Sequence, residues 1–235
     1  MEKEKKILNV YRHEIKFFIN RIDAFLLDSM LKRTMQTDIN GDEHGEYWIR
    51  SMYFDSQDNR DYLEKINGFS QRKKLRIRIY KTSDPAVKLE LKNKSGNYIH
   101  KETMQLDKQD AYKLMEGDYD ILLGYRNMIA NKIYAYMHTE RLRPILLIDY
   151  ERQAFICPFN NIRITIDKNV RASIDPWKLH ESGAPMVPVF ADGRYILEVK
   201  YQTLLPGFIR RILCKINPQP SSVSKYCLSR QAIYI

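Results

Sequence analysis

Charged side chains recur at every second position within several short apolar stretches of this chain, most densely in Lys74-Leu75-Arg76-Ile77-Arg78-Ile79 and Lys88-Leu89-Glu90-Leu91-Lys92. Successive residues of an extended strand point to opposite sides. Arg76 and Arg78 therefore share one face, Lys88, Glu90 and Lys92 share another, and Leu75, Ile77, Ile79, Leu89 and Leu91 point away. Clustered cations suit phosphate oxygens, which a guanidinium grips bidentately and an ammonium holds as a point charge. The few carboxylates among them suit a divalent metal that bridges those oxygens. A single half-exposed antiparallel strand shows the same alternation, so its meaning depends on whether the pattern repeats.

It does repeat. Glu14 and Lys16 are in phase in the strand expected over Val10 to Phe18, and a further strand spans Glu46 to Asp55. Tyr150 and Arg152 are in phase within Pro144 to Phe155. Arg163, Thr165 and Asp167 share a face in Ile162 to Asp167, as do Glu198 and Lys200 in Tyr195 to Tyr201. Thr82-Ser83-Asp84-Pro85 predicts a hairpin turn, and Lys94-Ser95-Gly96-Asn97 leads to a third strand near Tyr98 to Leu106. Asn20 predicts the cap of a helix with Ile22, Phe25, Leu26 and Met30 at helical spacing. Helices over Asp107 to Glu116 and Asp120 to His138 predict an insertion around 107–139. Pro206-Gly207 opens a helix bearing Phe208, Ile209, Ile212 and Leu213, and Ser221-Ser222 can cap a last one with Lys225 near its start.

An ordinary one-sided sheet would turn the ionic face to water, yet these amphipathic helices need an apolar surface to cover. Helices on the isoleucine-rich outside and a sheet curled shut would make the charged face line a pore. The expected fold is α+β: a closed antiparallel β-barrel with helices packed on its outer face, forming one domain over 10–235 behind a charged tail at 1–9. Glu14, Lys16, Arg76, Arg78, Glu90, Lys92, Arg152, Arg163, Asp167, Glu198 and Lys200 would line it. Charges crowded together there repel one another, and a bound polyanion relieves the repulsion.

The formal net charge of +10 calls for an anionic partner. Three cysteines without paired spacing argue against a disulfide framework or zinc site and fit a reducing cytoplasm. The charged start shows no signal-peptide pattern, and no run approaches the ~18 to 20 apolar residues of a membrane span. No Walker loop, dinucleotide glycine fingerprint or His/Cys metal cluster occurs. Nucleic acid is disfavoured, since single-strand binders interleave aromatic platforms with cations, whereas the in-phase partners of these arginines are mostly ions. The 16 tyrosines are assigned to packing and interfaces.

Taken in order, Glu14-Ile15-Lys16, Arg76-Ile77-Arg78, Glu90-Leu91-Lys92, Tyr150-Glu151-Arg152, Arg163-Ile164-Thr165-Ile166-Asp167, Leu197-Glu198-Val199-Lys200 and Ser224-Lys225-Tyr226 resemble the VTC domain, the polyphosphate polymerase branch of the triphosphate tunnel metalloenzymes. The resemblance runs from Tyr11 to Tyr226. It implies an antiparallel β-tunnel that takes ATP or another triphosphate and a growing inorganic polyphosphate chain, with Mn2+ or Mg2+. By that similarity Lys16, Arg76, Arg78, Lys92, Arg152, Arg163, Lys200 and Lys225 would bind phosphate. Glu198 would be the main metal ligand, assisted by Glu14 and Glu90, and Arg76, Arg78, Lys92, Lys200 and Glu198 would carry catalysis.

The wider superfamily opens with two glutamates and a lysine at alternating positions, and Arg12 stands here at the first place. That exchange weakens the metal site and favours longer phosphate chains over hydrolysis of a simple triphosphate. Phosphoryl transfer needs alignment and charge neutralisation more than a nucleophile, which agrees with reading His13 and His100 as structural and Ser224 as a helix cap. Hydrolysis of an inorganic or organic triphosphate on the same fold, and a non-catalytic polyphosphate-binding module, stay open at this point.

Overall fold

The alternating stretches assemble into one antiparallel sheet in the computed structural model, which describes residues 13–96, 98–216 and 218–234. The expected tail, the first residues of the first strand, Arg12 and Asn97 lie outside the described residues. In chain order the elements are β1 (His13–Ile19), α1 (Arg21–Lys32), β2 (Gln36–Thr37), β3 (Glu46–Asp55), α2 (Arg60–Ile66), β4 (Gln71–Ile79), β5 (Ala86–Ser95), β6 (Tyr98–Asp107), α3 (Lys108–Glu116), α4 (Met128–Glu140), β7 (Arg143–Cys157), β8 (Ile162–Ser173), β9 (Val187–Pro188), β10 (Tyr195–Tyr201), α5 (Gly207–Cys214) and α6 (Lys225–Ile233). Hydrogen bonds order the sheet β1-β10-β8-β7-β3-β4-β5-β6, with β2 added to β7 and β9 to β8. The β4–β5 turn is fixed by Asp84, whose carboxylate accepts from the Tyr80 and Lys81 amides at 3.0 and 2.9 Å.

The expected barrel is not closed by hydrogen bonds, because β1 and β6 end the sheet without pairing with each other among the described residues. Part of the free edge of β1 is taken instead by the chain before α6: Phe17 bridges Pro220, and the Ser221 amide donates to the Lys16 carbonyl at 2.8 Å. A side-chain contact spans the remaining gap, with Lys92 on β5 3.1 Å from Glu14 on β1.

Two apolar clusters cover the outer face. One joins Leu75, Ile77, Leu89 and Leu91 of the sheet to Leu114 of α3 and Ile133 and Met137 of α4. The other joins Phe17, Ile164, Leu197 and Val199 to Leu27 and Leu31 of α1 and Ile209 and Leu213 of α5. A third cluster lies on the opposite, concave side, where Val223, Tyr226 and Cys227 meet Ile49, Tyr53, Ile148 and Tyr150. Not every helix is therefore outside the sheet. The side chains of α6 reach inward-phase residues because Ser224 and Lys225 bring polar groups to the ionic face while Tyr226 supplies an apolar one.

Three local expectations change. Asn20 caps α1 by accepting from the Asp23 amide at 2.8 Å, but the buried stripe is Ala24, Leu27 and Leu31, while Ile22 and Phe25 are 72% and 70% exposed. Both stripes have helical spacing, so periodicity alone could not choose between them. The second insertion helix is broken into a 3-10 segment (Tyr119–Tyr125) and α4, since Arg126 adopts a left-handed φ of 47° and the Asn127 side chain accepts from Ala130 N to start a new helix. The cap of α6 is Ser224, which accepts from the Cys227 amide, and not Ser221 or Ser222.

Candidate functional site

Because side chains alternate along each strand and strand register is fixed by its ladder, neighbouring strands deliver their ionic residues to one concave face. The cross-strand pairs Lys16↔Glu198, Glu198↔Thr165, Lys200↔Arg163, Arg76↔Glu90 and Tyr53↔Arg76 record this alignment. Three ionic groupings result.

The first joins β1, β5 and β10. Lys16 Nζ lies 3.1 Å from Glu14 and 4.0 Å from Glu198, Lys200 lies 2.8 Å from Glu198, and Lys92 lies 3.1 Å from Glu14. Burial and the nearby Glu198 oppose ionisation of Glu14, yet Lys16, Lys92 and Lys200 outweigh them and hold its pKa below the ordinary value. Burial also opposes the Glu198 charge, and Lys200, Lys16, Arg152 and Lys225 more than offset it. Burial lowers the Lys92 ammonium to about 8 against only partial support from Glu14. Lys16, by contrast, is held above its ordinary value: burial opposes its charge, but Glu198 and Glu14 prevail.

The second joins β7, β8 and α6. Arg152 grips Asp167 bidentately at 2.6 and 2.8 Å, Lys225 donates to the same carboxylate, and Arg152 comes within 3.9 Å of Glu198. Asp167 is fully buried; burial disfavours its charge, but Arg152 and Lys225 keep its pKa at about 2.

The third joins β3, β4, β5 and β6. Glu90, 2% exposed, takes Arg76 at 2.6 Å, Arg78 at 3.6 Å and Lys101 at 2.9 Å. Arg78 also donates to Ser51 Oγ at 3.2 Å and Tyr150 Oη at 3.0 Å. Arg163 stands apart from these three, donating to Asp38 at 2.6 Å and Tyr47 Oη at 2.9 Å.

Two tyrosines lie among these ionic groups, a place that their assignment to packing and interfaces did not foresee. Tyr150 connects the second and third groupings: its hydroxyl accepts from Arg78, while Arg152 and Lys225 sit 5.3 and 4.7 Å from its ring centroid. Tyr53 accepts from Arg76 at 3.0 Å; burial resists its ionisation, but Arg76, Lys74 and Arg78 bring the phenol down to about 8. The phase of Tyr53 with Ser51, and of Tyr150 with Arg152, was visible in the sequence. Lys101 was missed because the third strand offers only isolated charges among polar residues. His13 stacks on Tyr201 at 4.8 Å, outside the ionic face.

Among the described residues no three His, Cys, Asp or Glu side chains converge as a metal site. Glu14 and Glu198 share Lys16 and so present two ionised carboxylates side by side. Such a pair fits a hard divalent cation whose remaining positions are filled by phosphate oxygens and water. Glu90 and Glu198 each have three cations within 4.0 Å, but the partners of Glu90 bridge to no second carboxylate among the described residues, whereas Lys16 joins Glu198 to Glu14.

The sequence matches the VTC domain family over residues 11–234. This chain belongs to the VTC domain family. No curated protein matches it. Among solved structures, this VTC domain is similar to the PH1819 protein of Pyrococcus horikoshii OT3, with a TM-score of 0.50 and 12% identity over 94% of this chain and 99% of that one. It is also similar to a Bacillus halodurans protein named "a putative adenylate cyclase", with a TM-score of 0.51 and 16% identity over 90% and 95% of the two chains. At such identities the likeness is one of fold. No described helix of this VTC domain is long and apolar enough to cross a membrane.

Proposed function

We propose that this VTC domain is a metal-dependent phosphotransferase that takes a triphosphate into its ionic channel and builds polyphosphate from ATP. The observation that carries this reading is a charge imbalance. Among the described residues Lys16, Lys74, Arg76, Arg78, Lys92, Lys101, Arg152, Lys200 and Lys225 are nine cations on a face that also carries Glu14, Glu90, Asp167 and Glu198, four carboxylates shared among them, a net excess of five positive charges. Such an excess in a low-dielectric space is costly by itself and is offset by a ligand of several negative charges in a row.

The residues divide by what already holds them. Arg76, Lys92 and Lys200 keep part of their surface open and would take phosphate oxygens directly. Arg78, Arg152 and Lys225 are fixed by Ser51, Tyr150 and Asp167, and would present a preset wall of donors. Lys16 and Arg163 would hold the flanks of the chain. Glu198 and Glu14 would hold Mn2+ or Mg2+, with Glu90 acting through the cations it orders. A divalent ion there would supply charge neutralisation across phosphate oxygens. Among the described residues no histidine joins these groupings, which accords with direct in-line transfer of the γ-phosphoryl from ATP to inorganic phosphate or a chain end, with ADP as the leaving group. Incubating the protein with ATP and Mn2+ tests this: long-chain polyphosphate is expected. Orthophosphate without polymer would select a hydrolase, and tight polyphosphate binding without turnover would select a binding module.

A further inference from the structure

Each cation of the phosphate set has a carboxylate within 4.0 Å, supplied by Glu14, Asp38, Glu90, Asp167 or Glu198. Lys74 differs. It lies on the same face of β4 as Arg76 and Arg78, but among the described residues its ammonium meets no carboxylate at that distance. Its neighbours are the Ser224 hydroxyl, 3.2 Å away, and the faces of Tyr226 and Tyr53, whose ring centroids are 5.1 and 5.8 Å away. Lys88 is also in phase, but it is exposed, with its ammonium 4.7 Å from the Tyr80 ring centroid.

A hydroxyl and two π-faces replace only part of the hydration that an ammonium loses on leaving water. Burial depresses the Lys74 pKa, and the more distant Tyr53, Cys227 and Asp61 offset that only in part. The position is also specific. Lys74 pairs across the ladder with Lys92, stands two residues before Arg76, and touches the residue next to Lys225. It therefore sits between three side chains already assigned to phosphate.

We propose that Lys74, with the Ser224 hydroxyl, forms an additional phosphate subsite where the channel meets the start of α6, so that a bound oligophosphate supplies the counter-ion Lys74 lacks. This rests on the reading of the channel as a phosphate-chain site. It assigns Lys74 to anchoring the chain at the α6 end, between the Arg76 and Lys225 contacts, and Tyr53 and Tyr226 to holding the ammonium in place before the ligand arrives.

The test is calorimetric titration of inorganic tripolyphosphate, without metal, into the wild-type chain and into Lys74→Met and Lys74→Arg variants, with melting temperatures of each free protein. Loss of a charge-assisted contact predicts about tenfold or more weaker binding for Lys74→Met. Lys74→Arg should bind within about threefold of wild type. The free Lys74→Met protein should melt no lower than wild type, because Met fills the same space without an unneutralised charge. Unchanged affinity in Lys74→Met, beside a wild type that binds, overturns the Lys74 subsite and leaves the channel reading standing. A melting temperature that falls in step with binding, without rescue by arginine, also overturns it by making Lys74 structural. A wild type that does not bind tripolyphosphate removes the channel reading and the subsite with it.

Discussion

Replacing Asp167 by asparagine removes the charge that Arg152 and Lys225 share without changing the size of the side chain. Asp167 is fully buried and held at about 2 against an ordinary 3.8. At about 1.4 kcal/mol per tenfold in the ionisation equilibrium, that difference corresponds to about 2.5 kcal/mol of native-state stability. Breaking a buried ion pair from one side costs about 3 to 5 kcal/mol, since the orphaned cation adds its own desolvation. The free variant should therefore lose about 2.5 to 5 kcal/mol, or about 5 to 20 °C in melting temperature for a chain of this length. A polyanion would then take the place of the missing carboxylate. Saturating tripolyphosphate should raise the melting temperature of Asp167→Asn by more than it raises that of wild type, and differential scanning calorimetry reads both quantities. A free variant melting within about 2 °C of wild type would refute the ion-pair energetics. A ligand-induced rise no larger than that of wild type would refute the placing of bound phosphate against Arg152 and Lys225. The sign with pH follows: a depressed carboxyl pKa gives stability that is complete above the unfolded value and is lost as pH falls through about 2.

Lys92 and Tyr53 both titrate near 8, and each loses positive charge or gains negative charge as pH rises, so tripolyphosphate affinity should fall across that range. A Lys92→Arg/Tyr53→Phe double variant should flatten the profile in titrations at constant ionic strength, and an unaltered profile would show that other groups control it. Arg76→Ala should weaken phosphate binding at least tenfold with a small change in melting temperature, because part of its guanidinium is open to solvent. Arg78→Ala should cost both binding and stability, since it strips buried Ser51, Tyr150 and Glu90 of a donor; equal melting temperatures for the two variants would contradict this. Mn2+ binding followed by electron paramagnetic resonance should be lost in Glu198→Gln and Glu14→Gln but kept in Glu90→Gln, and loss in all three would return Glu90 to the metal.

The faces of the strands were legible because strand periodicity needs no tertiary information. Once Arg76 and Arg78 alternate with Leu75 and Ile77, one side must be ionic and the other apolar wherever the strand goes. The strands at Glu46–Asp55 and Tyr195–Tyr201 carry the bounds expected of them. Helix packing was less legible. The stripe of Ile22, Phe25 and Leu26 is as periodic as the buried Ala24, Leu27 and Leu31, and only the fit against Phe17, Ile164 and Leu197 selects between them. Hydroxyl partners were invisible for a similar reason: Tyr150 reaches Arg78 across 72 residues, and no local pattern marks such a pair.

What the sequence determined by itself is the sorting of side chains to two faces and the excess of cations on one of them, since both depend only on alternation and count. Which cation meets which carboxylate was decided by strand order and register. Those put Glu14 against Lys92 across an edge that hydrogen bonds leave open, seated α6 on the concave side, and left Lys74 with a hydroxyl where its neighbours have a carboxylate. Such pairings depend on distances of a few ångströms between residues far apart in the chain, and only the folded backbone sets those distances.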